Sequence, residues 1–328
     1  MRFLLAAGLL CWILPVSAQT VAAGASGDTD QDGLSDAVES ALLAQFAPVF
    51  MASDDDCSLR PAEFVPLRAT PEVQNENGTI YGQAFPRQSH DGQVELHYYH
   101  LWRRDCGEMS HVLDVEHVSA LVVRGDASSW KALYWYAAAH EDTPCDASQI
   151  TRAGRVAGEF HGPEVWISRG KHASFLSPAI CARGCGGDSC GVMKPLTSPK
   201  LINVGERSRA MNGAIWADSP QWPLAEKMSR SDFTETRTAR ADRVSDAGIA
   251  WANPEKRPMQ AAILGGNNAF AGASGGLHAA DTALDTASSD TGNALNSASE
   301  STESGLAKTA RSVKKALRAT ARKLGLKQ

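Results

Sequence analysis

The stretch Gln93-Val-Glu-Leu-His-Tyr-Tyr-His-Leu-Trp102 places Val94, Leu96, Tyr98, His100 and Trp102 on one face and Glu95, His97, Tyr99 and Leu101 on the other. Successive side chains of a β-strand point to opposite faces, so this period of two predicts a strand. Downstream, His117–Arg124 (HVSALVVR) and Lys131–Ala138 (KALYWYAA) are β-branched or aromatic and are joined by a Gly-Asp turn, which predicts a hairpin. Glu164–Ser168 (EVWIS) reads as a further short strand ending at Gly170. No convincing helix of ten residues is expected between 48 and 215. Short strands separated by turn signals predict a mostly β fold with an antiparallel β-sandwich core, rather than a βαβ sheet.

Outward from this centre the character of the chain changes. Residues 1–18 have a basic start, an apolar run from Phe3 to Val16 and small residues at −3 and −1 of Val16-Ser17-Ala18 before Gln19, the three parts of a cleavable signal peptide. The run is shorter than the roughly 20 residues needed to span a bilayer. The chain is therefore expected to be exported to the periplasm or the medium, with no transmembrane segment. Residues 19–46 form an acidic loop and a short helix. Residues 47–225 are the β-domain, residues 226–262 a polar connecting segment and residues 263–328 a low-complexity tail. In that tail Leu284, Leu295, Leu306 and Leu317 recur every eleven residues, about three helical turns. Its first half is acidic and its end is a basic amphipathic helix suited to an anionic membrane surface or polymer. Its Ser and Gly content supports a disordered tail whose halves fold back on each other as well.

Hydrophobic residues make up 43 % of the 328 and the net charge is −5, enough for a sizeable core and without the basic excess of a nucleic-acid binder. Past the signal peptide six cysteines remain: Cys57, Cys106, Cys145, Cys181, Cys185 and Cys190. An even number in an exported chain predicts disulfides, with the pairing left open among 15 arrangements. The alternative, a zinc site on Cys181, Cys185 and Cys190, lacks the paired C-x-x-C spacing of common zinc modules.

Asp28-Thr-Asp30-Gln-Asp32-Gly33-Leu34-Ser-Asp36-Ala-Val-Glu39 places oxygen ligands at positions 1, 3, 5, 9 and 12 of a twelve-residue loop. Gly33 stands where the backbone must turn sharply, and the Leu34 carbonyl is available at position seven. This spacing wraps oxygens around one Ca2+; the alternative is a solvated acidic linker. With no helix before it, the loop resembles the single calcium loops of dockerin and thrombospondin type-3 repeats. The helix that leaves it, Asp36–Phe46, is expected to dock through Val38, Leu42, Leu43 and Phe46.

A second candidate site is Ser110-His-Val-Leu-Asp-Val-Glu-His-Val118. Asp114 and Glu116 lie two apart and share a strand face, and His111 can join them. One imidazole and two carboxylates suit a divalent cation, Ca2+, Mg2+ or Mn2+; read separately, both carboxylates could be exposed strand residues. The pattern H-x-x-D-x-E before a hydrophobic strand resembles the metal-binding heptapeptide GHRHDWE of the necrosis- and ethylene-inducing-like proteins. It is more similar to the GDWEH segment of the vacuolar protein sorting-associated protein 62 family. Phe46–Phe50 with Pro61–Pro66, Ala139-His140 and Trp166–Phe175 (WISRGKHASF) are similar to further segments of that family, in order, over roughly residues 46–190. The resemblance implies a β-sandwich with an edge metal on His111, Asp114 and Glu116. It gives His140 and His172 only a place in the same cleft, and it leaves Asp105 as an extra carboxylate without firm alignment. The motif's tryptophan is Val115 here, expected in the core.

Three functions follow as expectations. One is a metal-binding module for a lipid headgroup or glycan at a cell surface. The second is a metal-assisted hydrolase in which His140 or His172 moves a proton. The third is a structural envelope protein. No Gly-x-Ser-x-Gly, HExxH or phosphate-cradling loop is present, which leaves nucleophilic and zinc-protease mechanisms unsupported.

Overall fold

Strands Gln93–Asp105 and His111–Arg124 are the axis of the molecule, paired antiparallel with Tyr98 opposite Val118 and Trp102 opposite Asp114. In this computed structural model the described residues are 27–254, apart from 89, 108, 109, 126–128, 186, 198 and 245–247. The expected signal peptide and tail repeats lie outside them. Five more strands complete a seven-stranded sheet in the order Leu201–Asn203, Ile80–Pro86, Gln93–Asp105, His111–Arg124, Trp130–Ala137, Gln149–Arg152 and Ala250–Trp251. A smaller sheet runs Ser174–Phe175, Glu164–Ile167, Val49–Ala52 and Lys194–Pro195. The fold is mostly β, and pairing is antiparallel except between Val49–Ala52 and Glu164–Ile167 and between Leu201–Asn203 and Ile80–Pro86. Among the described residues no helix is long and apolar enough to cross a membrane.

The alternation read from the sequence decides what each face buries. Val94, Leu96, Tyr98 and Trp102, joined by Val118, Ala120 and Trp135, pack with Phe50, Val165 and Ile167 of the small sheet. The opposite face is covered as well. Tyr99, Leu101 and Val115 meet Trp216, Trp222 and Met228, and Tyr136 and Ile150 meet Phe233 and Ala241. Segments 214–228, 233–244 and 248–252 therefore form a second cover, so the central strands are buried on both sides.

The N-terminal helix Asp36–Gln45 starts where the Ser35 hydroxyl accepts from Val38 N, and Asp36 and Glu39 in its first turn favour the positive end of its dipole. Leu42, Leu43 and Phe46 enter the core, with Val38 partly buried beside them. The helix fits closely: a Cβ on Gly82 would stand 2.8 Å from Leu43 Cδ1.

Residues 229–234 bring charge onto the outer face. Asp232, fully buried, accepts from His117 Nε2 at 2.8 Å and Ser119 Oγ at 2.5 Å, with His97 Nδ1 at 3.6 Å and Arg237 at 3.7 Å. Glu95 accepts from Asp232 N at 3.1 Å and from Ser231 Oγ at 2.5 Å. Glu95 on the period-two strand, and His117 and Ser119 on its neighbour, thus hydrogen-bond to groups of the cover.

Candidate functional site

At one end of the two axial strands the ladder sets Asp105 opposite His111, Trp102 opposite Asp114 and His100 opposite Glu116. Asp105, His111 and Asp114 each offer a ligand atom, all within 4.8 Å of one another. Asp105 is held by Gly107 N, which donates to its Oδ1 at 2.6 Å. Leu113 takes the left-handed region (φ 61°), uncommon for a leucine, just before Asp114. Val115 points away into the second core, as the motif's pattern requires.

Glu116 lines the same cleft, of about 780 Å³, without joining that cluster. It is 6 % exposed and its Oε2 has no hydrogen-bond partner. Burial pushes its carboxyl well above the usual carboxylate range, opposed by the charge of Lys227. Lys227 lines the cleft and donates from Nζ to the Val115 carbonyl at 3.0 Å. Arg230 stands on the same wall, paired with Glu141 and with Asp142.

The two histidines named from the sequence occupy different positions. His172 sits in the tight turn after Ser168 with φ 54°, wholly buried and stacked on Trp102 at 4.0 Å between ring centres. Its Nδ1 is 3.0 Å from Asp114 Oδ2 and its Nε2 is 3.5 Å from Asp56 Oδ1. Burial would lower its pKa, but the Asp114 hydrogen bond and the nearby Asp56 carboxylate outweigh it and raise the value to about 9. It is then an imidazolium at neutral pH, able to hold the Asp114 carboxylate and unable to accept a proton. His140 lines the cleft with φ 52°, and its Nε2 is 2.9 Å from Asp188 Oδ1, which also accepts from Ser168 Oγ at 2.9 Å. The serines near the motifs pair elsewhere. Ser110 Oγ accepts from Arg104, and buried Ser174 meets His100 at 2.7 Å.

Three disulfides brace this end: Cys57–Cys106, Cys145–Cys185 and Cys181–Cys190. The zinc alternative is thereby corrected, because Cys185 crosses to Cys145 while Cys181 pairs with Cys190. Sequence reading missed Asp56, Glu141, Asp188, Lys227 and Arg230. The triplet His140-Glu141-Asp142, directly after an apolar strand, was the one local signal for this group.

No protein-family model matches the chain, and no curated protein matches it. The vacuolar protein sorting-associated resemblance therefore rests on its quoted motifs. Solved structures that resemble the chain are necrosis- and ethylene-inducing proteins. A triple mutant of NLPPya is 13 % identical, covering 53 % of this chain and 75 % of that one at a TM-score of 0.33. NLPPya in complex with glucosamine is 12 % identical, covering 54 % and 76 % at 0.34. Necrosis and Ethylene inducing Protein 2 from the causal agent of cocoa's Witches Broom disease is 14 % identical, covering 56 % and 84 % at 0.29. At this level of similarity no residue role is transferred from them.

Proposed function

We propose that the chain is an exported binding module whose cleft holds a divalent cation on Asp105, His111, Asp114 and Glu116 and takes a sugar or lipid headgroup. The observation that carries this reading is Glu116, a buried carboxylate with an unpartnered oxygen in a cleft that also contains the Asp105, His111 and Asp114 cluster. An uncompensated carboxylate at such burial costs several kcal/mol, which a cation would offset. Three carboxylates and one imidazole favour Mg2+, Mn2+ or Ca2+ over softer metals. His172 would orient Asp114 from behind. Hydroxyls of a glycan can complete the shell of such an ion, and Lys227 and Arg230 suit an anionic group beside it. The vacuolar protein sorting-associated resemblance agrees with this ligand set. It supplies no activity.

The test is equilibrium binding of Mn2+ and Ca2+ to wild type and Glu116→Gln, followed by binding of glucosamine and of anionic vesicles with and without the cation. Loss of one ion per chain in Glu116→Gln, together with cation-dependent ligand binding, supports the module. Equal ion counts in the two proteins would refute the cleft site. The His140–Asp188 pair favours a second reading, metal-assisted hydrolysis with His140 as proton carrier. Cation-dependent turnover of phosphoesters that disappears in His140→Ala would establish it.

A further inference from the structure

The acidic N-terminal loop shares no residue with the cleft lining and has a burial problem of its own. Asp28, Asp30 and Asp32 bring carboxylate oxygens within 4.8 Å of one another. Asp30 is only 2 % exposed, and neither of its oxygens has a hydrogen-bond partner. Asp28 Oδ1, Asp32 Oδ2 and Glu39 Oε1 are also buried without a partner. The remaining oxygens have structural uses. Asp28 Oδ2 accepts from Gly33 N at 3.2 Å and Asp32 Oδ1 from Leu34 N at 2.6 Å. Glu39, fully buried, accepts from Asn203 Nδ2 at 2.8 Å through Oε2. Asp36 binds Thr29 N and Thr29 Oγ1 through its two oxygens, at 2.8 and 2.7 Å, and so closes the loop. Gly33 at φ 98° provides the sharp turn.

Four carboxylates with five donorless buried oxygens suit a hard cation, and the twelve-residue spacing suits calcium's larger, flexible shell. We propose that the loop binds one calcium ion through Asp28, Asp30, Asp32 and Glu39, and that the ion clamps the N-terminal helix to the edge of the large sheet. The clamp follows from the partners. Asn203 belongs to the edge strand Leu201–Asn203, and a Cβ on Gly205 would stand 3.1 Å from Asp30 Oδ2. The ion would thus join residue 30 to a chain segment more than 170 positions away, independently of the cleft site.

The full oxidised chain is tested in the Glu116→Gln background, which separates this ion from the cleft's. Calcium binding is counted by equilibrium dialysis, and melting is followed in calcium and in chelator. One calcium per chain is expected, lost when Asp30→Asn is added. Asp30→Asn neutralises a buried unpaired charge, so in chelator it should melt above its parent. Calcium should raise the melting temperature of the Glu116→Gln parent and leave that of the double variant unmoved; an equal shift in both overturns the proposal. Asn203→Ala should keep the one-ion stoichiometry and weaken binding about 10- to 100-fold, as loss of an orienting partner does. Absence of calcium binding by Glu116→Gln, or unchanged binding after Asp30→Asn, overturns the proposal.

Discussion

Replacing Asp232 by asparagine keeps the shape of a fully buried side chain and removes its charge, so the loss it causes reports electrostatics rather than a cavity. Asp232 Oδ2 accepts from His117 Nε2 at 2.8 Å and Ser119 Oγ at 2.5 Å, and His97 and Arg237 lie within 3.7 Å. Breaking a buried ion pair by removing one partner costs about 3–5 kcal/mol. For a domain of this size each kcal/mol lowers Tm by about 2–4 °C, so a loss of roughly 6–20 °C is expected. The pH dependence has a definite sign. Asp232 is held below the usual carboxylate range because its interactions with His117 and His97 outweigh burial, so its contribution is complete above about pH 4. Although burial opposes it, the Glu95 hydrogen bond and the Asp232 charge raise the His97 pKa. The stability from His97 is therefore fully present below about pH 6.5 and fades as pH rises through the raised value. The deficit of Asp232→Asn should accordingly be larger at pH 6 than at pH 9 in thermal melts followed by circular dichroism. A loss below about 1 kcal/mol at pH 6, the size of an exposed ion pair, would refute the buried-clamp argument.

Burial raises the pKa of Asp30 to about 7 and that of Glu39 to about 8, so the unfolded chain ionises first and calcium-free stability falls between about pH 4 and 8. Half of one such shift is about 2 kcal/mol, or 4–8 °C; the Tm advantage of Asp30→Asn in chelator should grow by this amount from pH 5 to 8, and a constant difference would exclude the effect. Gly162→Ala would place a Cβ 2.3 Å from the Ala47 carbonyl oxygen and 2.6 Å from that of Phe46. It should separate the chain at Val49 N–Pro163 O and cost about 1–3 kcal/mol or more in denaturant melts, whereas a neutral result would contradict the packing. Asp56→Asn removes one of the two anions around His172, so the imidazole pKa should fall from about 9 in an NMR titration, and an unchanged value would remove Asp56 from its environment.

The mostly β fold was legible because period-two alternation survives in Gln93–Trp102 even though both faces are buried. The helix docking through Leu42, Leu43 and Phe46 was legible for the same reason, an apolar stripe beside a capped start. The second cover was not, because its C-terminal part attaches through isolated residues such as Asp232 and Phe233, whose strand partners His117, Tyr136 and Ile150 are remote in sequence. Their sequence surroundings are polar and carry no period. At the cleft, the motif exposed His111, Asp114 and Glu116, since ligands two and three apart are a local property. Asp105 joins them only through strand register, Lys227 and Arg230 only through tertiary folding, and Asp56 only through its contact with His172. The role of His172 depends on a left-handed turn and on stacking against Trp102, neither of which the GKHASF segment encodes by itself.

All three disulfides join segments around the cleft end, whereas the seven-stranded sheet is held by its own ladder and by apolar contacts on both faces. The molecule therefore has two tiers of order that respond to different chemistry. A thiol reductant should leave the strand signature of the large sheet largely intact in circular dichroism while loosening the segments tied at Cys106, Cys145 and Cys185, so the shape of the cleft depends on the oxidation state of its cysteines.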